Sequence, residues 1–473
     1  MQEKMDSLET EEMDRKMTSG AVNCFQLTGS HIYKKILSCE KLRKCQIDCI
    51  QKTKEYFDND PTRRTGTIVL PTGCGKTGVI AMLPYALETK RVLVVTPRIA
   101  IRGQVKNALT TYEGSQEKKL WRIAFVQDMN LVPLKALPSV KVLAEGTDIT
   151  SQLAAHNQFV LANASMFRVE KTGDDGKKKK SVERRHWKQL LDKDDFDLVI
   201  VDEAHHFPSA LWKNIVDHFC SFGGKANVVF LTATPYRSNG ERVTSASEII
   251  FEITFKEAVR LNYIRDVRAV AIMTPDNVVV KNQIDQASND VRELLKYIKS
   301  RLYEKNNAYP LPDGKRHQAI AVANSLSQMK LITKIANELQ LAAKGYFNSL
   351  KEEKAKKIQG KEMYDKDGNR HIVKQDITKS RLDEFKKQKF DLIIVMHMLG
   401  EGFDHPPISV TAFFYEVQTS SKACQFMGRG VRRINGENKA IACDVVWHEN
   451  VNQKMYRRFR ELRDGRYGNI SDT

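Results

Sequence analysis

The chain has 473 residues, 41% of them hydrophobic and 28% charged, a length that suits two or three domains of about 150 residues each. No run approaches the roughly 20 apolar residues of a membrane span, and the charged opening segment is unlike a secretory signal, so an intracellular protein is expected. The eight cysteines form no disulfide framework, and the net charge of +18 favours a polyanionic partner over a surface that is merely basic and soluble.

Residues 1–20 are polar and aperiodic and read as a disordered leader, within a leader segment 1–40. Cys39, Cys45 and Cys49 come next. They lack the second pair that a structural zinc site needs, and Cys45 and Cys49 fall on one face of a helix. From about residue 40 to 450, short β-branched runs alternate with helical stretches, the signature of parallel α/β sheets. The first five strand-like runs are Thr67–Leu70, Val92–Thr96, Phe159–Asn163, Leu198–Asp202 and Val228–Thr232. The second five are Ala269–Met273, Ala319–Ala323, Leu392–Met396, Val410–Tyr415 and Ala440–Val445. None alternates polar with apolar residues, as expected of strands covered on both faces. Two similar lobes in tandem follow, over 41–255 and 256–450, with a basic tail at 451–473. Two lysine-rich stretches, Lys171–Lys188 and Gly345–Lys389, interrupt the pattern and read as surface insertions.

The strongest local signal is Leu70-Pro71-Thr72-Gly73-Cys74-Gly75-Lys76-Thr77, entered from a strand and leaving into a helix. Gly73 and Gly75 let backbone N–H groups turn inward around a phosphate, and the helix N-terminus adds its positive dipole. Lys76 is placed for β- and γ-phosphates and Thr77 for Mg²⁺. The strict P-loop has glycine where this chain has Leu70. The second half of the site is the run Leu198–Val201 ending in Asp202 and Glu203, which delivers two carboxylates at a strand end. Asp202 is expected to hold Mg²⁺ and Glu203 to orient and deprotonate the attacking water.

Asp202-Glu203-Ala204-His205 resembles the D-E-A-H signature of superfamily 2 helicases, and the other motifs follow in the family's order. Thr96-Pro97-Arg98 through Gln104 is similar to motif Ia, and Leu161 through Asn163 to Ser165 to motif Ib. Val229 through Thr232-Ala233-Thr234-Pro235 to Arg237 resembles motif III. Ile394 to Gly402-Phe403-Asp404 resembles motif V, and Gln425 through Arg429 to Arg432 motif VI. Leu42-Arg43-Lys44-Cys45-Gln46 is similar to the adenine-reading element upstream of the P-loop. The set is most similar to the branch holding type III restriction-enzyme helicase subunits.

The resemblance implies two tandem RecA-like domains with ATP and Mg²⁺ in the cleft between them. Nucleotide contacts are then expected from Arg43, Gln46, Pro71 to Thr77, Gly402 and Asp404. Phosphate-backbone contacts are expected from Thr96, Pro97, Arg98 and Asn163, and coupling from Thr232, Thr234 and Gln425. Arg429 and Arg432, three apart, are expected on one face of a helix in the second lobe, reaching the γ-phosphate on closure. The implied activity is a nucleic-acid-stimulated ATPase, with DNA favoured over RNA. An ATP-switched nucleic-acid sensor or clamp, duplex RNA among its candidate substrates, and a motor working with a nuclease-bearing partner subunit, stay open beside it.

Overall fold

The computed structural model describes residues 24–97, 99–111, 124–132, 137–143, 158–164, 191–206, 209–220, 224–235, 247–275, 283–347, 351–355, 357–358, 361–362, 372–376, 378–396, 403–417, 419–449 and 453–464. The chain divides into two units, one ending at Ala258 and one running from Val259 to Arg466.

The first unit opens with helices α1 (Cys24–Ser38) and α2 (Lys44–Asn59). On α1, Phe25, Ile32 and Ile36 recur at helical spacing and are buried, with Phe25 edge-on to Tyr85 and Phe159. On α2 the buried stripe is Cys45, Cys49, Ile50, Thr53 and Phe57. Then come β1 (Thr65–Val69), α3 (Lys76–Ala86), β2 (Val92–Thr96), α4 (Ile99–Leu109), β3 (Val140–Val142) and β4 (Phe159–Asn163). The unit closes with β5 (Leu198–Val201), α5 (Ser209–Phe219), β6 (Asn227–Thr232) and β7 (Glu248–Glu252). The seven strands form one parallel sheet in the order β3-β4-β2-β5-β6-β1-β7. Parallel pairing points every strand's C-terminal end to the same edge, so the segments after β1, β2, β4, β5 and β6 gather there. Helix α3, buried from Gly78 to Ala86, is apolar all round because the protein covers it all round.

The division falls within α6 (Phe255–Arg260). The second unit continues with β8 (Val267–Ile272), α7 (Gln283–Ala308), β9 (Gln318–Ala323), α8 (Leu326–Glu338) and β10 (Ala343–Tyr346). Four short strands follow, β11 (Lys351–Ala355), β12 (Lys357–Ile358), β13 (Lys361–Glu362) and β14 (Ile372–Asp376). The remainder is α9 (Thr378–Lys386), β15 (Leu392–Met396), β16 (Ile408–Phe413), α10 (Ser420–Met427), β17 (Cys443–His448) and α11 (Gln453–Asp464). Its parallel sheet has the order β10-β15-β9-β16-β17-β8.

This unit also buries charge. Arg265, fully buried, pairs with Glu437 through Nε to Oε1 at 2.6 Å and Nη2 to Oε2 at 2.5 Å. Its Nη1 donates to the carbonyls of Ile408 and Gly430. Asp444 accepts from Arg268 at 2.7 Å and Arg301 at 2.8 Å, and pairs with Lys305 at 2.9 Å. These cations hold the Asp444 carboxyl below its ordinary value even though burial pushes it up.

All ten strands expected from the sequence exist, within three residues at each end. The three further sheet strands β3, β7 and β10 lie at or next to sheet edges, where short and half-exposed runs leave a weak pattern. Two elements lie where no element was expected. Helix α1 falls within the supposed leader, and α11, inside the supposed tail, buries Met455 and Phe459. Within Gly345–Lys389 the chain pairs β11 with β14 and β12 with β13 in antiparallel fashion. The Lys171–Lys188 stretch lies outside the described residues.

Candidate nucleotide site

Gly73 and Gly75 take φ of 95° and 91°, the left-handed region that favours glycine. A side chain at Gly75 would be strained there, and its Cβ would fall 2.5 Å from Nε2 of Gln46. Gln46 closes on the loop because its Nε2 donates to the Gly75 carbonyl at 3.1 Å, while its Oε1 accepts from the Arg43 amide at 3.2 Å. The Arg43 guanidinium donates to the Gly73 carbonyl. The residues picked as adenine-reading thus brace the P-loop from α2. Pro71 is buried and its carbonyl accepts from the Cys74 amide at 3.1 Å, a tight turn within the loop; Thr72 and Thr77 are half-buried.

Lys76 begins α3, with its Nζ 3.0 Å from Oε1 of Glu203. Strand β6 lies between β1 and β5, yet this ion pair joins the two loops that follow them. Glu203 is held at φ 49°, a strained value for a residue with a Cβ, and its amide donates to Oδ1 of Asp202 at 2.9 Å. Asp202 is only 5% exposed and its own amide donates to the Val95 carbonyl. Thr77 and Asp202 offer oxygen donors that suit a hard cation such as Mg²⁺, and the positive φ of Gly73 and Gly75 is the backbone form that turns loop N–H groups toward an anion. The residues present fit a magnesium-bound nucleoside triphosphate.

Sequence reasoning gave His205 no role. Its Nδ1 lies 3.5 Å from Oε2 of Glu203 and 3.0 Å from Oγ1 of Thr232. Thr232 spends its hydroxyl proton on the Thr234 carbonyl at 2.9 Å, so it accepts from His205 and the imidazole proton sits on Nδ1. The Thr234 amide donates back to Thr232 Oγ1 at 3.1 Å, and the buried Thr234 hydroxyl has no hydrogen-bond partner among the described residues. A continuous polar path therefore runs from Glu203 through His205 to Thr232 and Thr234. The signal was present in the sequence as the fourth letter of the acidic motif.

The second unit corrects one expectation. Helix α10 ends at Met427 with Gly428 as its cap, so Arg429 lies in the following turn and Arg432 in a single bridge to Ile264. The two arginines do not share a helix face, because Gly428 and Gly430 end the helix there. Arg429 is 8% exposed and its Nη1 donates to the Phe403 carbonyl at 2.6 Å. Arg432 pairs with Asp404, which was expected at the nucleotide, and its Nε has no partner among the described residues. Gln425 is half-buried on α10. Gly402 lies outside the described residues, as does Arg98.

The expected phosphate-gripping residues are placed at strand ends but are largely enclosed. Thr96 is fully buried and its hydroxyl donates to the Ala162 carbonyl at 3.4 Å, tying β2 to β4. Asn163 is 7% exposed and Pro97 half-buried. The Thr96 hydroxyl is thus spent on the sheet, a departure from its expected part in the grip.

Residues 40–237 match the family described as type III restriction enzyme, res subunit. The chain is 24% identical over 416 residues to helicase 22 of Sulfolobus islandicus filamentous virus, covering 87% of this chain and 65% of the viral one. It is 23% identical over 254 residues to the mitochondrial ATP-dependent helicase irc3 of Schizosaccharomyces pombe, covering 53% of this chain and 38% of that one. The chain thus spans less than two thirds of either relative. Among solved structures it is similar to a fragment of a type I restriction enzyme HsdR subunit from Vibrio vulnificus YJ016, at a TM-score of 0.55 and 13% identity. That match covers 91% of this chain and 68% of the other. The DNA-bound type ISP restriction-modification enzyme LlaBIII matches at 0.54 and 15%, over 86% of this chain and 27% of its own. At such identities the structures speak for the fold alone, and the fold is two tandem RecA-like domains. The resemblance to superfamily 2 helicases of the type III restriction kind is borne out.

Proposed function

We propose that this chain, with the motif set and tandem RecA-like lobes of a superfamily 2 helicase, is an ATP-driven nucleic-acid helicase or translocase that works inside the cell. The observation that carries the reading is the Lys76–Glu203 pair at 3.0 Å, which joins P-loop and acidic strand end in one site. A triphosphate draws Lys76 onto its β- and γ-oxygens and leaves Glu203 to orient and deprotonate the attacking water. Bound Mg²⁺, held by Thr77 and Asp202, would neutralise charge developing on those oxygens. His205, with its proton on Nδ1, passes the state of Glu203 to Thr232 and Thr234. Arg43 and Gln46 read the base by turning to it from the Gly73 and Gly75 carbonyls they now hold, and Gly402 and Asp404 complete the nucleotide contacts. Arg429 and Arg432 supply positive charge to the γ-phosphate once the lobes close, which requires Arg429 to leave the Phe403 carbonyl and Arg432 to leave Asp404.

The partner is nucleic acid, with DNA favoured over RNA, gripped through phosphates around Thr96, Pro97, Arg98 and Asn163. ATPase rates measured side by side with duplex DNA, single-stranded DNA and duplex RNA test this. Stimulation greatest with DNA is expected; equal rates with and without every nucleic acid would defeat the proposal.

A further inference from the structure

The nucleotide chemistry leaves two thiols beside the P-loop without a task. Cys45 lies in the first turn of α2, between the two residues that brace the loop, and Cys74 sits between the two left-handed glycines. The Cys45 thiol lies against Cys74, donating to its carbonyl oxygen at 3.9 Å. Both are buried, at 2% and 0% exposure. So α2 already meets residues 73, 74 and 75 through residues 43, 45 and 46, in three adjacent contacts.

The two thiols are unequal. The neighbouring Cys74 holds the Cys45 thiol below its ordinary value, against burial, with the Arg43 guanidinium helping. The neighbouring Cys45 and burial push Cys74 up. Cys49, one turn along α2, is also pushed up, by burial, and its neighbour Thr53 donates to its carbonyl at 2.7 Å. Chemistry at this spot therefore starts at Cys45 and is completed by Cys74.

We propose that Cys45 and Cys74 are a site of reversible disulfide formation that staples α2 to the P-loop and closes the nucleotide site. The oxidant is a low-molecular-weight disulfide. The Cys45 thiolate attacks one of its sulfurs and expels the first thiolate; Cys74 then attacks the mixed disulfide and expels the second. Two protons and two electrons leave the protein, and the oxidant departs as two thiols. Once formed, the bond fixes the backbone between Gly73 and Gly75 and removes the freedom of Arg43 and Gln46 to turn from the loop toward a base. Burial makes the step slow, and it proceeds when the loop opens without nucleotide.

The inference rests on the P-loop reading for its consequence but not for its chemistry, and the test separates the two. The full chain is treated with oxidised glutathione, with and without MgATP, and digested for mass spectrometry; binding of a fluorescent ATP analogue is titrated in parallel. A Cys45–Cys74 cross-linked peptide is expected, suppressed by MgATP. Nucleotide affinity should fall more than tenfold with cross-linking and return with dithiothreitol. Cys45→Ser and Cys45→Ala should resist the oxidant, whereas Cys220→Ser should respond as wild type does. Absence of the cross-linked peptide overturns the proposal, as does a cross-linked chain that binds nucleotide like the reduced one. If the reduced chain binds no better than Lys76→Ala, the P-loop reading fails, and the peptide alone still decides whether the disulfide forms.

Discussion

The two lobes share a parallel sheet but spend their charged residues differently. In the first, Lys76, Asp202 and Glu203 stand at the C-terminal ends of strands, over a core of apolar strands. In the second, Arg265, Glu437, Asp444 and Lys305 are buried as internal pairs, and the motif arginines are tied to a carbonyl and a carboxylate of their own lobe. The first arrangement exposes charge to a ligand, at the cost of a strained Glu203. The second uses charge to fix a glycine-broken turn, since Arg265 grips the Gly430 carbonyl and the Glu437 carboxylate on either side of Arg432. Buried pairs of this kind add little net stability over apolar residues but are costly to break singly.

The sharpest way to break the comparison is Lys76→Ala, which should leave no ATP turnover above about a thousandth of wild type, since the β- and γ-phosphates lose their point charge. Steady-state phosphate release checks it; turnover within about threefold of wild type, far above what a P-loop lysine allows, would remove the P-loop assignment. Glu203→Gln should slow turnover by about 10²–10⁴ while nucleotide binding survives. Equilibrium titration distinguishes the two variants, and a Glu203→Gln chain that binds as poorly as Lys76→Ala would give Glu203 a structural role.

In the second lobe, Arg265→Met should cost about 3–5 kcal/mol, because buried Glu437 loses its close partner and keeps Arg433 at 3.9 Å and the Ile434 amide at 3.1 Å. Urea unfolding of the variant measures it, and adding Glu437→Leu should recover much of the loss. A cost below about 1 kcal/mol would put the pair among the weak exposed ones.

A pH dependence is also expected. Burial lowers His317 and His405 from 6.5 to about 4. Above 6.5 both folded and unfolded forms are neutral. Between about 6.5 and 4 the unfolded chain takes up protons that the folded lobe does not, so stability falls as pH drops through that window. Thermal unfolding of the full chain across it should show the loss in the second lobe, reduced in His317→Gln/His405→Gln. An unchanged slope in the double variant would assign the dependence elsewhere.

These contrasts were unevenly legible in the sequence. The strands and P-loop were, since β-branched runs and left-handed glycines are local signals. The Lys76–Glu203 contact could be expected once two motifs were placed at strand ends of one sheet. The path from Glu203 through His205 to Thr232 could not, because it joins residues 27 apart across two strands. Nor could the Arg265–Glu437 pair, 172 residues apart, or the sealing of Thr96 by β4. The arginine turn is hard to read for a local reason: the two arginines have helical spacing, but the helix stops at Met427, with Gly428 as its cap, before either of them.

The central claim is that nucleotide turnover in the first lobe is coupled to nucleic acid held through its phosphates. Affinity measured against salt on two unrelated DNA duplexes, beside ATPase rates on the same duplexes, tests it most directly. The account predicts low ATPase activity alone, stimulation by both duplexes alike, and binding that weakens with a log–log slope of about −0.9 per phosphate neutralised. Arg429→Ala should lose the stimulation and keep the binding. A flat salt response, strong preference for one duplex sequence, or ATPase activity indifferent to every DNA and RNA would contradict it.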